Sequence, residues 1–237
     1  MKLLITFLLL TISLTATAQS TPRLSGSLKP SSPSKNESWN QIDTLFLSQK
    51  PLTYYRSKHV HPESMYSDST GIVVIVQNSF PKGGVSLDDS GKPGYNDPSG
   101  KRFGYVIFWT RIINESTAPL ELTINFPADS FAIFPSPDAY VKVFLPPDTM
   151  TPDKELLLNY GITGLKSFLD TGLKNPTMVQ RTINPKEEWF VYTGALGYEA
   201  NGAARAELVI KEQELFYRIS IGPYFELIPC GRIVLKN

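Results

Sequence analysis

The stretch Leu120-Glu121-Leu122-Thr123-Ile124-Asn125-Phe126 decides the fold class of this chain. Leu120, Leu122, Ile124 and Phe126 alternate with Glu121, Thr123 and Asn125, the period of two that a pleated strand imposes on its side chains. One face of such a strand meets a core and the other meets water, as antiparallel sheets commonly do. Upstream, residues 104–113 form a second apolar run, and Asn114-Glu-Ser-Thr-Ala-Pro119 between the two supplies turn chemistry. Residues 105–126 therefore read as a β-hairpin.

Working outward, Gly71-Ile-Val-Val-Ile-Val-Gln77 is a β-branched run that reads as a strand buried on both faces. Residues 139–145 form a further strand stopped by Pro146-Pro147, neither of which can donate to a ladder. The period then changes. Thr151-Pro152-Asp153 predicts a helix start that runs to Tyr160 and ends at Gly161; a second short helix, capped by Thr163 or Gly164, puts Leu165, Phe168 and Leu169 on one side. Strands return at 177–183, 189–196, 205–210, 215–221 and 232–235, with a tight hairpin at Lys211-Glu-Gln-Glu214. About nine strands with Pro/Gly turns and one helical insertion around residues 152–172 give an all-β, mainly antiparallel class. The expected architecture is an immunoglobulin-like or related β-sandwich, with a barrel as the alternative. The strand, Asn-x-Ser, Pro, strand pattern at 105–126 resembles the hairpins of immunoglobulin-like envelope domains, and what that resemblance implies is architecture alone.

The amino end carries a different message. Lys2, the apolar run from Leu3 to Leu14, and Ala16-Thr17-Ala18 before Gln19 have the three parts of a secretory signal peptide, so residues 1–18 are read as one, cleaved after Ala18. An apolar run of about a dozen residues is short of the roughly 20 that span a bilayer. No cysteine follows it, so the lipoprotein route is closed. Residues 19–38, rich in Ser, Pro, Lys and Asn, read as a linker or disordered arm, and residues 39–237 as a single domain. The expected location is outside the cytoplasm: a bacterial periplasm, cell surface or medium.

The chain of 237 residues holds 23 Lys+Arg against 22 Asp+Glu, and loss of residues 1–18 would remove Lys2 and no acid, leaving it formally neutral. That balance lacks the counterion-release drive for nucleic acid and any basic surface for anionic lipid. With 13 Phe, 11 Tyr and 3 Trp there is ample apolar surface to offset the entropy of folding. The lone Cys230 can form neither an internal disulfide nor a cysteine zinc site, and reads as a buried small apolar side chain.

Candidate chemistry is sparse. There is no Gly-x-Ser-x-Gly elbow and no His-Glu-x-x-His, and both histidines sit in His59-Val60-His61. In an extended segment positions 59 and 61 share a side, so His59 and His61 with Met65 form a candidate copper or zinc site. The long polar loop 80–103 is the first-choice binding region, separable from the fold by deletion of 82–101. Within it Asp88, Asp89, Asn96 and Asp97 offer oxygens to calcium or to a ligand, in an order that does not match an EF-hand. Tyr95 and Phe103, aromatic residues in a polar loop, read as exposed ligand-gripping side chains. No cofactor is predicted beyond these candidate calcium and copper or zinc sites. Asn36 and Asn114 sit in Asn-x-Ser sequons. The function expected from all this is a non-enzymatic envelope module binding a protein or glycan partner through the 80–103 loop, without nucleic acid or a transmembrane span. An exported carboxylate-dependent hydrolase and a periplasmic metal-binding protein are the alternatives.

Overall fold

In the computed structural model the described residues are 60–67 and 73–236, all within one compact unit, Tyr54–Asn237. The expected signal peptide and linker, with His59 and the side chain of His61, lie outside the described residues.

Twelve strands form two antiparallel sheets among the described residues. The first half of the chain supplies β1 (Val60–Ser67), β2 (Val73–Ser79), β3 (Lys82–Gly83), β4 (Tyr95–Asn96), β5 (Arg102–Asn114) and β6 (Leu120–Phe126). Then follow β7 (Tyr140–Phe144), helix α1 (Leu165–Gly172), β8 (Thr177–Ile183), β9 (Glu188–Tyr198), β10 (Ala204–Lys211), β11 (Glu214–Ile221) and β12 (Tyr224–Leu235). The first sheet runs β1-β2-β5-β9-β7, with β3 and β4 also paired to β5; the second runs β10-β11-β12-β6-β8. Thus β2, β3 and β4 line one edge of β5 in succession, as one strand interrupted by Phe80-Pro81 and the 84–94 loop. The fold is all-β and sandwich-like, with the helical insertion where the sequence placed it.

The expected 105–126 hairpin is not formed. β5 pairs with β2 and β9, whereas β6 pairs with β12 and β8 in the other sheet. The cause is Asn114, fully buried, whose Nδ2 donates to the carbonyls of Ala118 at 2.8 Å and Ile183 at 2.9 Å while its Oδ1 accepts from Ser116 N at 3.0 Å. These bonds bend the chain over the end of the sandwich. The β8–β9 connection docks on the same corner, with Lys186 N donating to Asn114 O and Asn114 N to Glu187 O.

The alternation in β5 shows why the first sheet has two dry faces. Phe108 and Ile112 join Leu120, Leu122, Ile124 and Phe126 of β6 in the core between the sheets. Phe103, Tyr105, Ile107 and Trp109 point the other way, into a second core completed by Met150, Tyr160, Leu165 and Leu169 of the insertion. The insertion is a third layer. Its first part differs from the predicted single helix: Pro152–Lys154 and Leu158–Gly161 are short 3-10 turns, and Asn159 and Tyr160 take left-handed φ values of 47° and 56°. That reversal drives the Tyr160 ring into the core, where its hydroxyl donates to Phe80 O at 2.6 Å and its carbonyl accepts from Tyr192 Oη at 2.5 Å.

Two further elements escaped the sequence reading. β1 has Pro62 within it, and the part of β12 ahead of Arg232 contains Pro229 and Gly231, residues that break a strand pattern. Both prolines are tolerated at irregularities in the pairing, between Val60 and Glu63 and opposite Leu215 and Phe216. Gly231 has φ 143° and a Cβ there would run into Thr123 O, so the bulge needs glycine.

Candidate functional site

The 80–103 loop is organised by its own carboxylates. Asp88 Oδ1 accepts from Ser90 N at 2.9 Å and Ser86 Oγ at 3.1 Å, and its Oδ2 accepts from Asn96 Nδ2 at 2.8 Å. Asp97 Oδ1 accepts from Ser99 N at 2.9 Å, Ser99 Oγ at 2.6 Å and Lys101 N at 2.8 Å, closing the turn into β5. The Ser90 bonds hold the Asp88 carboxyl well below the usual carboxylate range, and the Ser99 hydroxyl lowers that of Asp97. Asp89 is exposed beside them. No group of three or more His, Cys, Asp or Glu side chains with metal-holding geometry occurs among the described residues. Met65 stands exposed on β1, paired with Ile75.

Tyr95 and Phe103 are not the exposed rings expected of them. They face each other across the β4–β5 pair and both are buried in the second core, with ring centroids 6.2 Å apart. Tyr95 Oη donates to Asp170 Oδ1 at 3.0 Å, fastening the loop to α1, and burial pushes that phenol's pKa up. A strand register, invisible in a polar stretch with short pairings, turns these two rings inward.

The structure instead gathers half-buried aromatics and one exposed ring, Tyr224, at one end of the sandwich, beside the place where the loop enters β5. A cleft of about 860 Å³ is walled by Phe134, Tyr140, Tyr198 and Tyr224, with Lys101, Asp138 and Glu199 as its charged members. Tyr140 and Tyr198 come from the paired ends of β7 and β9 and stack at 5.4 Å and 30°. Phe134 meets Tyr224, from the start of β12, edge to face at 5.4 Å. Phe103 backs the first pair, 5.7 Å from Tyr198. The Lys101 ammonium lies 3.4 Å from the Tyr198 ring centroid and donates to Tyr140 Oη at 3.0 Å, and this bond raises its pKa. Pro135 and Pro137 restrict the backbone of the 134–138 wall, and Glu199 sits at φ 51°, a left-handed conformation at the head of the β9–β10 turn. Strain held at a cleft rim by a residue other than glycine is a common companion of function.

Of the residues predicted from sequence, only Phe103 supports this cleft, from behind. The others were missed because they are far apart in the chain: 101, 134–140, 198–199 and 224. The signal that could have found them is Phe134-Pro-Ser-Pro-Asp-Ala-Tyr140, a proline-stiffened loop with an aromatic at each end. The cleft offers what a ligand site needs: concavity, rings to stack on, and a few convergent polar groups. No family model, no curated protein and no solved structure matches the chain.

Proposed function

We propose that this chain is an exported, non-enzymatic binding domain of the cell envelope, which grips a protein or glycan partner in the aromatic cleft at the end of its sandwich. The observation that carries the reading is the gathering of Phe134, Tyr140, Tyr198 and Tyr224 around one concavity of about 860 Å³. Tyr224 remains 41% exposed, a large amphipathic ring left for a partner to cover. Export is supported by the apolar run and Ala16-Thr17-Ala18. The role of the 80–103 loop is then to present Lys101 rather than to enclose a ligand itself.

The test is retention of envelope polysaccharides and solubilised envelope proteins on the immobilised protein, set against a Tyr224→Ser variant with the same thermal midpoint. Loss of about tenfold in affinity in the variant is expected, corresponding to about 1.4 kcal/mol. Equal retention by both proteins, or none by either, overturns the proposal.

One observation favours a second reading. Asp138 and Glu199 both line the cleft, so a carboxylate-dependent hydrolase has two candidate side chains in one place. Against it, both residues are exposed, whereas a carboxyl acting as general acid is kept protonated by an apolar site. Turnover of chromogenic glycosides that vanishes in Asp138→Asn or Glu199→Gln would favour this second reading over the first.

A further inference from the structure

The cleft's hydrogen-bonding capacity is unevenly spent. Its one cation among the described residues, Lys101, is already seated on the Tyr198 face and bonded to Tyr140 Oη. Its two acids are not engaged: among the described residues neither the Asp138 nor the Glu199 carboxylate forms a hydrogen bond or ion pair, nor do the phenol groups of Tyr198 and Tyr224 form hydrogen bonds. Among the described residues the cleft therefore carries a net formal charge of −1 and a surplus of acceptors, next to a ring pair, Phe134 and Tyr224, on which none of them places a cation. Lys101 supplies an internal precedent, because it shows an ammonium at 3.4 Å from a ring of the same wall.

We infer that the ligand of this cleft is a basic peptide segment, whose arginine or lysine side chain lies against the Phe134–Tyr224 ring pair with its charge met by Asp138 and Glu199. This rests on the reading of the cleft as a partner site and selects, within it, a cationic protein segment over a neutral glycan. Arginine fits best. Its planar guanidinium stacks on aromatic faces and presents several donors to carboxylates at once, where an ammonium offers a point charge.

The probes are a tetra-arginine amide, the tetra-citrulline amide that keeps its shape without its charge, and cellotetraose as a neutral sugar, each titrated into the full chain and followed by tyrosine-ring NMR shifts. Tetra-arginine is expected to bind about tenfold or more tightly than tetra-citrulline, and to weaken as salt is raised because the acids are at the exposed rim. The Asp138→Asn, Glu199→Gln double variant, altered only at exposed side chains, should lose that preference while keeping its thermal midpoint. Equal binding of tetra-arginine and tetra-citrulline, or an unchanged preference in the double variant, overturns the inference. Cellotetraose or tetra-citrulline shifting the Tyr198 and Tyr224 signals without any charge dependence would overturn it while leaving the cleft reading standing. Failure of every probe to shift those signals counts against both.

Discussion

Asn114 shows how much one side chain can decide. Its amide holds two carbonyls from separate segments and its carbonyl holds Ser116, so the corner between the sheets is fixed at a single buried residue. Replacing it with alanine removes the amide that Ile183 O and Ser116 N bond to in a dry site, a cost of about 3 kcal/mol. Urea unfolding of Asn114→Ala should show that loss as a lower midpoint with an unchanged slope. The same burial removes Asn114 from use as a glycosylation acceptor in the folded chain. Cys230, unlike Asn114, is a residue whose reading from sequence agrees with the structure: it is buried, and burial pushes its thiol up to about 12 from an ordinary value of 9.0. A raised folded-state value leaves stability untouched below the unfolded pKa and lowers it as pH climbs from about 9 towards 12, by up to about 1.4 kcal/mol per unit. Cys230→Ala should flatten the stability curve over that alkaline window relative to the parent. Ellman's reagent should find no reactive thiol at pH 8 until the chain is unfolded.

At the scale of elements, the 80–103 segment belongs to the scaffold. Lys82–Gly83 and Tyr95–Asn96 pair with β5, and Tyr95 is a plug in the second core. Deleting residues 82–101, which the polar composition marks as separable, is therefore expected to abolish the cooperative near-ultraviolet transition rather than leave a folded protein. The insertion has an opposite asymmetry. Tyr160 is wholly buried and its alanine variant should lose about 3–5 kcal/mol. Leu156, Leu157 and Leu158 are 79%, 51% and 69% exposed, so changing all three to serine should move the unfolding free energy by less than about 1 kcal/mol. Strands whose faces alternate or whose runs are β-branched, such as β6 and β2, were legible because burial on a pleat has a fixed period. β3 and β4, each of two residues, were not, since so short a pairing leaves no period to read.

Over the whole molecule, class and connectivity part company. Counting strands and turns recovers an antiparallel sandwich, because that depends on local patterning. It does not recover which strand joins which sheet: the β10-β11-β12 meander follows sequence neighbours, but the β5–β6 and β8–β9 connections both cross between sheets around Asn114. The cleft inherits the same limit. Its walls come from the ends of β7 and β9 in one sheet and β12 in the other, so it exists only once the sheets are stacked. This has a consequence for stability. The inter-sheet core draws side chains from β2, β5, β7 and β9 on one side and from all five strands of the other sheet, while the second core reuses the opposite face of β5, β7 and β9. Neither core can form without β5 and β9, so the two should melt as one cooperative unit. Because both cores lie within Tyr54–Asn237, a chain beginning at Tyr54 should retain that transition. Calorimetry of the two chain lengths tests the point: one peak with equal calorimetric and van't Hoff enthalpies, at the same temperature for both, is the expected result. Two peaks, or a shorter chain with no transition, would show that the sheet shared by the two cores does not bind them into one folding unit.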